Sequence, residues 1–91
     1  MSLIRDERSV QIGPSTVSVT GVTGPVHATW TLLVDGQEVD SAVAAGEFRL
    51  RGKLSDGSDV EAVVHQSLVG PTEVVINHGG GEVTRFKGFV A

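Results

Sequence analysis

The chain contains no cysteine, which removes disulfides, thiolate-based zinc sites and thiol nucleophiles from consideration. It has no tyrosine, one tryptophan and three phenylalanines, too few aromatics for a stacking platform of the kind that binds single-stranded nucleic acid. It also lacks a basic excess: seven Lys and Arg stand against eleven Asp and Glu, for a net charge of -4, which opposes attraction to a phosphate backbone. No stretch approaches the roughly 20 apolar residues of a membrane-spanning helix, and the first residues carry charges where a secretory signal would be apolar. Neither nucleic acid nor membrane is therefore expected as a partner, and a cytoplasmic location is the expectation.

At 91 residues the chain suits one domain with one core. What it has in quantity is alternation. In 27–34, Ala28, Trp30, Leu32 and Val34 share one face, and His27, Thr29, Thr31 and Leu33 the other. Asp35-Gly36 then suits a two-residue type I′ hairpin turn, and the chain returns through Val39 and Val43. Residues 47–54 place Phe48, Leu50 and Leu54 inward and Arg49, Arg51 and Lys53 outward. After Ser55-Asp56-Gly57-Ser58, the run 59–66 is apolar at Val60, Ala62 and Val64, with Val63 on the other face.

Val69-Gly70-Pro71 ends that run, and 73–78 and 82–87 form a last hairpin around Gly79-Gly80-Gly81. Val83 and Phe86 fall out of phase, so a β-bulge or a strand that changes sheets is expected there. Earlier, Val10 and Ile12, then Val17 and Val19, form two short runs divided by Gly13-Pro14. The expected fold is all-β: a small antiparallel β-sandwich or partly open barrel of about seven or eight short strands joined by hairpins. Residues 1–8 are expected to form a charged arm and 9–91 the single β domain. Segments 30–39 and 73–83 share a pattern of apolar run, Gly-containing turn and Glu-Val. The common grammar of hairpins accounts for it, with a duplicated hairpin as the less favoured alternative.

Several residue groups could carry chemistry. His78-Gly79-Gly80-Gly81 matches a string that supplies oxyanion donors in esterases, yet the chain has no G-x-S-x-G elbow and no room for the α/β sheet that carries it. Asp56, Ser58, Asp59 and Glu61 crowd oxygens around a turn without the spacing of an EF-hand, and Asp and Ser favour turns for their own reasons. Arg49, Arg51 and Lys53 form a basic stripe that also reads as a solvated strand face. No catalytic residues and no cofactor are expected.

Two functional readings follow. In the first, Leu33, Val63 and Val75, each opposite the core side of its strand, form an apolar surface through which a non-catalytic sandwich binds a protein or a second copy of itself, as a homodimer. In the second, a small barrel binds a small ligand or metal through His27, His65 and His78 with Trp30. The Asp-Gly hairpin rhythm and Ala45-Gly46-Glu47-Phe48 resemble the β-sandwich domains of the Fas apoptotic inhibitory molecule family. That resemblance covers a minor part of the chain and implies a sandwich fold only.

Overall fold

A computed structural model describes residues 5–66 and 72–89. The alternating segments form eight strands: β1 (Arg5–Ile12), β2 (Ser15–Val22), β3 (Thr29–Val34), β4 (Gln37–Val43), β5 (Glu47–Lys53), β6 (Asp59–His65), β7 (Thr72–His78) and β8 (Gly81–Phe89). They make two antiparallel four-stranded sheets, each a meander of consecutive strands: β1-β2-β3-β4 (sheet A) and β5-β6-β7-β8 (sheet B). The protein is a small all-β sandwich.

The core lies between the inner faces. Period-two alternation sends Val17 and Val19 of β2 and Trp30, Leu32 and Val34 of β3 inward from sheet A. They meet Leu50, Val60, Ala62, Val64, Val74, Ile76 and Phe89 from sheet B. Trp30 is fully buried and packs edge-on against Phe89 and Phe48, with ring centroids 5.3 and 6.5 Å apart. This small aromatic cluster couples the two sheets.

The N-terminal charged stretch is strand from Arg5 onward rather than an arm. Arg5 pairs with Val22 and Arg8 with Val19. Asp6 and Arg8 take the inward positions of β1, where they form an ion pair, and the Arg8 guanidinium lies 5.1 Å from the Phe89 ring centre. Charge at these inward positions is tolerated because β1 is an edge strand whose inner face is only half-buried. The Val69-Gly70-Pro71 break lies outside the described residues.

The two halves share more than the hairpin pattern visible in sequence. In sheet A, β3 and β4 join at Asp35-Gly36, with φ of 52° and 82°; in sheet B, β7 and β8 join at Gly79-Gly80, with φ of 63° and 81°. Two consecutive positive φ values define the I′ geometry that matches strand twist, and they favour Gly, Asn or Asp at these positions, as in Asp35-Gly36 and Gly79-Gly80. Both hairpins then bulge at the same point. Leu33 faces Glu38 and Leu32 faces Asp40, leaving Val39 unpaired, while Asn77 faces Glu82 and Ile76 faces Thr84, leaving Val83 unpaired. The bulge at Val83 explains why Val83 and Phe86 are out of phase. A second irregularity, Thr72 opposite Phe89 but Glu73 opposite Lys87, leaves Gly88 at φ 80° and turns Phe89 back into the core.

Candidate functional site

The four residues of the ligand reading do not converge. His65 lies opposite Glu73 and His78 opposite Val60, so they sit at opposite ends of the β6–β7 ladder. Five residue steps at about 3.3 Å each separate the two rows by about 17 Å. His27 is exposed in the connection before β3, on the other sheet. Trp30 is buried between the sheets, because it shares the inward parity of Leu32 and Val34, and so it lines no open mouth. Among the described residues, no group of three or more metal-binding side chains comes together.

The interface residues divide as well. Val63 and Val75 are direct cross-strand neighbours on the outer face of sheet B, whereas Leu33 is on the outer face of sheet A. In register, Arg49 flanks Val63 and Arg85 flanks Val75, forming a row Arg49, Val63, Val75, Arg85. The valines keep only 6% exposure each. Long arginine stems flanking short valines account for this, with the guanidinium groups still in water. The arginines are held by carboxylates: Arg49 and Arg51 reach Glu61 at 3.7 and 3.2 Å, and Arg85 pairs with Glu73 and, at 2.9 Å, with Glu82. Sheet B therefore presents a charged face whose pairs are satisfied within the sheet. The basic stripe of β5 is part of that lattice.

The outer face of sheet A is different in kind. Across β2, β3 and β4, its register rows are Val22, Thr29, Val43, then Thr20, Thr31, Ser41, then Ser18, Leu33, Glu38. Of these side chains only Glu38 is charged. Val43 is 66% exposed and Leu33 is half-buried. Charges appear only at the margins, at Arg5 and Glu7 on β1 and Glu38 beside the β3–β4 turn.

A polar constellation occupies one end of sheet B. Ser58, in the turn before β6, donates its hydroxyl to Asp56 Oδ1 at 2.5 Å, and its oxygen lies 2.8 Å from His78 Nε2 at the end of β7. These residues adjoin an open groove of about 350 Å³ lined by Ser58, Asp59, Glu61, Asn77, His78 and the Gly79-Gly80 turn. A serine hydroxyl has one proton. With that proton on the bond to Asp56, Ser58 accepts from His78, which then carries its proton on Nε2. Activation of a nucleophile needs the reverse, a histidine that accepts the serine proton. The esterase-like His-Gly-Gly-Gly string thus serves as a hairpin turn and its histidine as a clamp on the β5–β6 turn.

The groove's acids are already engaged. Lys53 lies 2.7 Å from Asp59 and holds its carboxyl below the ordinary aspartate range. The Asp56 carboxyl is also lowered, chiefly by the Ser58 hydroxyl and then by the Ser58 backbone N–H, with His78 adding in the same direction. A carboxyl whose folded pKa is depressed adds stability above its unfolded value, about 3.9, and that contribution is lost as pH falls through the folded value. The difference in urea midpoint between the parent and Asp56→Asn is therefore expected at pH 7 and should vanish in strong acid. A difference that stays constant with pH would assign the effect to geometry instead of charge.

Sequence reading did not single out Ser58 as a partner of His78. No local signal could do so, because the two lie in different hairpins and only the β6–β7 register brings them together. Comparison of the two halves supplies an indirect signal: the place that His78 takes opposite Val60 in sheet B is held by Val34 opposite Val17 in sheet A.

No family model matches the chain, and searches of curated proteins and of solved structures found no significant match. Among the described residues, no helix is long and apolar enough to cross a membrane.

Proposed function

We propose that this protein is a non-catalytic β-sandwich that associates with a second copy of itself through the outer face of sheet A. The observation that carries the reading is the absence of charge across Val22, Thr20, Ser18, Thr29, Thr31, Leu33, Ser41 and Val43, on the described part of a chain whose net charge is -4. Two acidic molecules repel one another, and an uncharged face is where they can approach closely without burying unpaired ions. Sheet B supports the choice by contrast, since its two apolar outer residues already lie between arginines.

The size of the face limits the affinity. Three to four strands about 4.8 Å apart and about six residues long give roughly 300–400 Å² per partner, or about 600–800 Å² in all, below the standard range for stable complexes. A weak dimer is expected, visible only in concentrated solution. Sedimentation velocity over a concentration series tests it: Leu33→Asp and Val43→Asp should each weaken association by about tenfold or more, the equivalent of about 1.4 kcal/mol. Association unchanged in both variants would remove this face as the interface.

A second reading, binding of a small polar ligand in the groove beside His78, is favoured by the convergence of Ser58, Asn77 and His78 on one open cleft. Native mass spectrometry of protein purified without chelator reports oligomeric mass and retained small molecules in one spectrum. A retained ligand that is lost in His78→Ala would favour this reading over self-association alone.

A further inference from the structure

We propose that the chain also exchanges halves with a second copy of itself, β1–β4 of one molecule closing on β5–β8 of another, with residues 44–46 as the hinge. The surface involved is the inner face of each sheet, so the inference is independent of the sheet A outer face.

Four observations carry it. Each sheet is made wholly of consecutive strands, so neither half lends a strand to the other's ladder. Among the described residues, the backbone hydrogen bonds outside the strand ladders stay within sheet A, within sheet B, or join Gln66 to the hinge at Gly46. The halves are held together by side chains: the shared core, the Arg51 backbone N–H donating to Asp40 at 2.9 Å, and the Ser15 and Ser55 hydroxyls 3.1 Å apart. Finally, β4 ends at Val43 and β5 begins at Glu47, so the connection is three residues, with Gly46 at φ 84° making the bend.

The physical consequence is an equilibrium between two ways of forming the same core. A half on its own would expose Trp30, Leu32, Val17 and Val19, or Ile76, Val64 and Val74, and an open monomer is therefore scarcely populated. When Gly46 leaves the left-handed region for an extended conformation, the hinge straightens, and the four virtual bonds from Val43 to Glu47 reach at most about 14 Å. Each sheet then finds its complement on a second chain, with every inter-sheet contact of the monomer remade. Only the strain of the hinge and the entropy of association separate the two forms, and short connections tip that balance toward exchange.

The absence of native cysteine makes a direct test available. In Ser15→Cys/Ser55→Cys, the only two thiols sit on opposite halves, where the serine hydroxyls are in contact. Oxidation of a closed monomer links a chain to itself, whereas oxidation of the exchanged dimer links two chains. Protein refolded from urea at millimolar concentration and then oxidised is expected to give a covalent dimer on non-reducing gels, and protein refolded at micromolar concentration a covalent monomer. Deleting Ala44 and Ala45 in the same background should raise the dimer severalfold, and inserting six Gly and Ser residues after Ala45 should abolish it.

Dimers that assemble through the sheet A face keep their crosslink inside each chain, so they score as monomers on the gel and cannot mimic exchange. Crosslinks confined to single chains at every concentration in the unmodified hinge, and in the deletion variant where it folds, would overturn the proposal.

Discussion

Trp30→Ala is expected to lower stability by about 3–5 kcal/mol, a large share of what a domain of this size possesses. The indole is fully buried and bridges the sheets through Phe48 and Phe89, so its removal leaves a large space between them. The loss should appear in urea as a lower midpoint with an unchanged slope. Trp30→Phe separates packing from polarity. Among the described residues the buried indole Nε1 has no hydrogen-bond partner, so phenylalanine forfeits contacts but also removes a buried donor whose desolvation costs about 1–3 kcal/mol. These effects oppose each other, and the variant should fall within about 1.5 kcal/mol of the parent. Equal losses for alanine and phenylalanine would show that the indole N–H is bonded in solution, for instance to a buried water.

Gly52→Ala is expected to destabilise by about 1–3 kcal/mol, although alanine is ordinarily the better residue inside a strand. An added Cβ at this position would lie 2.5 Å from Val39 Cγ2 and 3.1 Å from Val39 Cβ. Val39 is the bulged residue of β4, and the close approach lets that edge pack over β5, where Asp40 receives the Arg51 backbone N–H. A valine side chain is short and stiff, so it cannot swing aside as a lysine would. Val39 is 40% exposed, which makes Val39→Ala inexpensive by itself. The double variant Gly52→Ala/Val39→Ala should recover most of the loss, with a coupling of about 0.5–3 kcal/mol in a double-mutant cycle of urea midpoints. Additive losses would place the cost of the new methyl elsewhere than on Val39.

Much of the fold is legible in particular stretches of sequence. Ala28, Trp30, Leu32 and Val34 announce a core-facing strand by parity, and all four are buried. Asp35-Gly36 announces its turn because few residues other than Gly, Asn and Asp accept positive φ, and the phase break between Val83 and Phe86 announces an irregular last strand, which the register shows to be a bulge. The charged residues from Arg5 to Arg8 are harder to read, since an edge strand that pairs on one side tolerates inward charge. The candidate sites are the least legible. Leu33, Val63 and Val75 have the same parity signature, but whether such residues form one patch depends on which strands share a sheet.

The sequence by itself determined most of the strands, their turns and the inward side of each, the charged start of β1 excepted, because these follow from local sterics and a period of two. Only the tertiary structure decided which outer face is charged and which is bare, because that depends on register between strands. It set Arg49 and Arg85 beside Val63 and Val75, left Leu33 and Val43 on the sheet whose outer face carries charge only at its margins, and joined Ser58 to His78 across two hairpins. It also assigned four consecutive strands to each sheet, the arrangement that leaves a single three-residue hinge between two halves of one core.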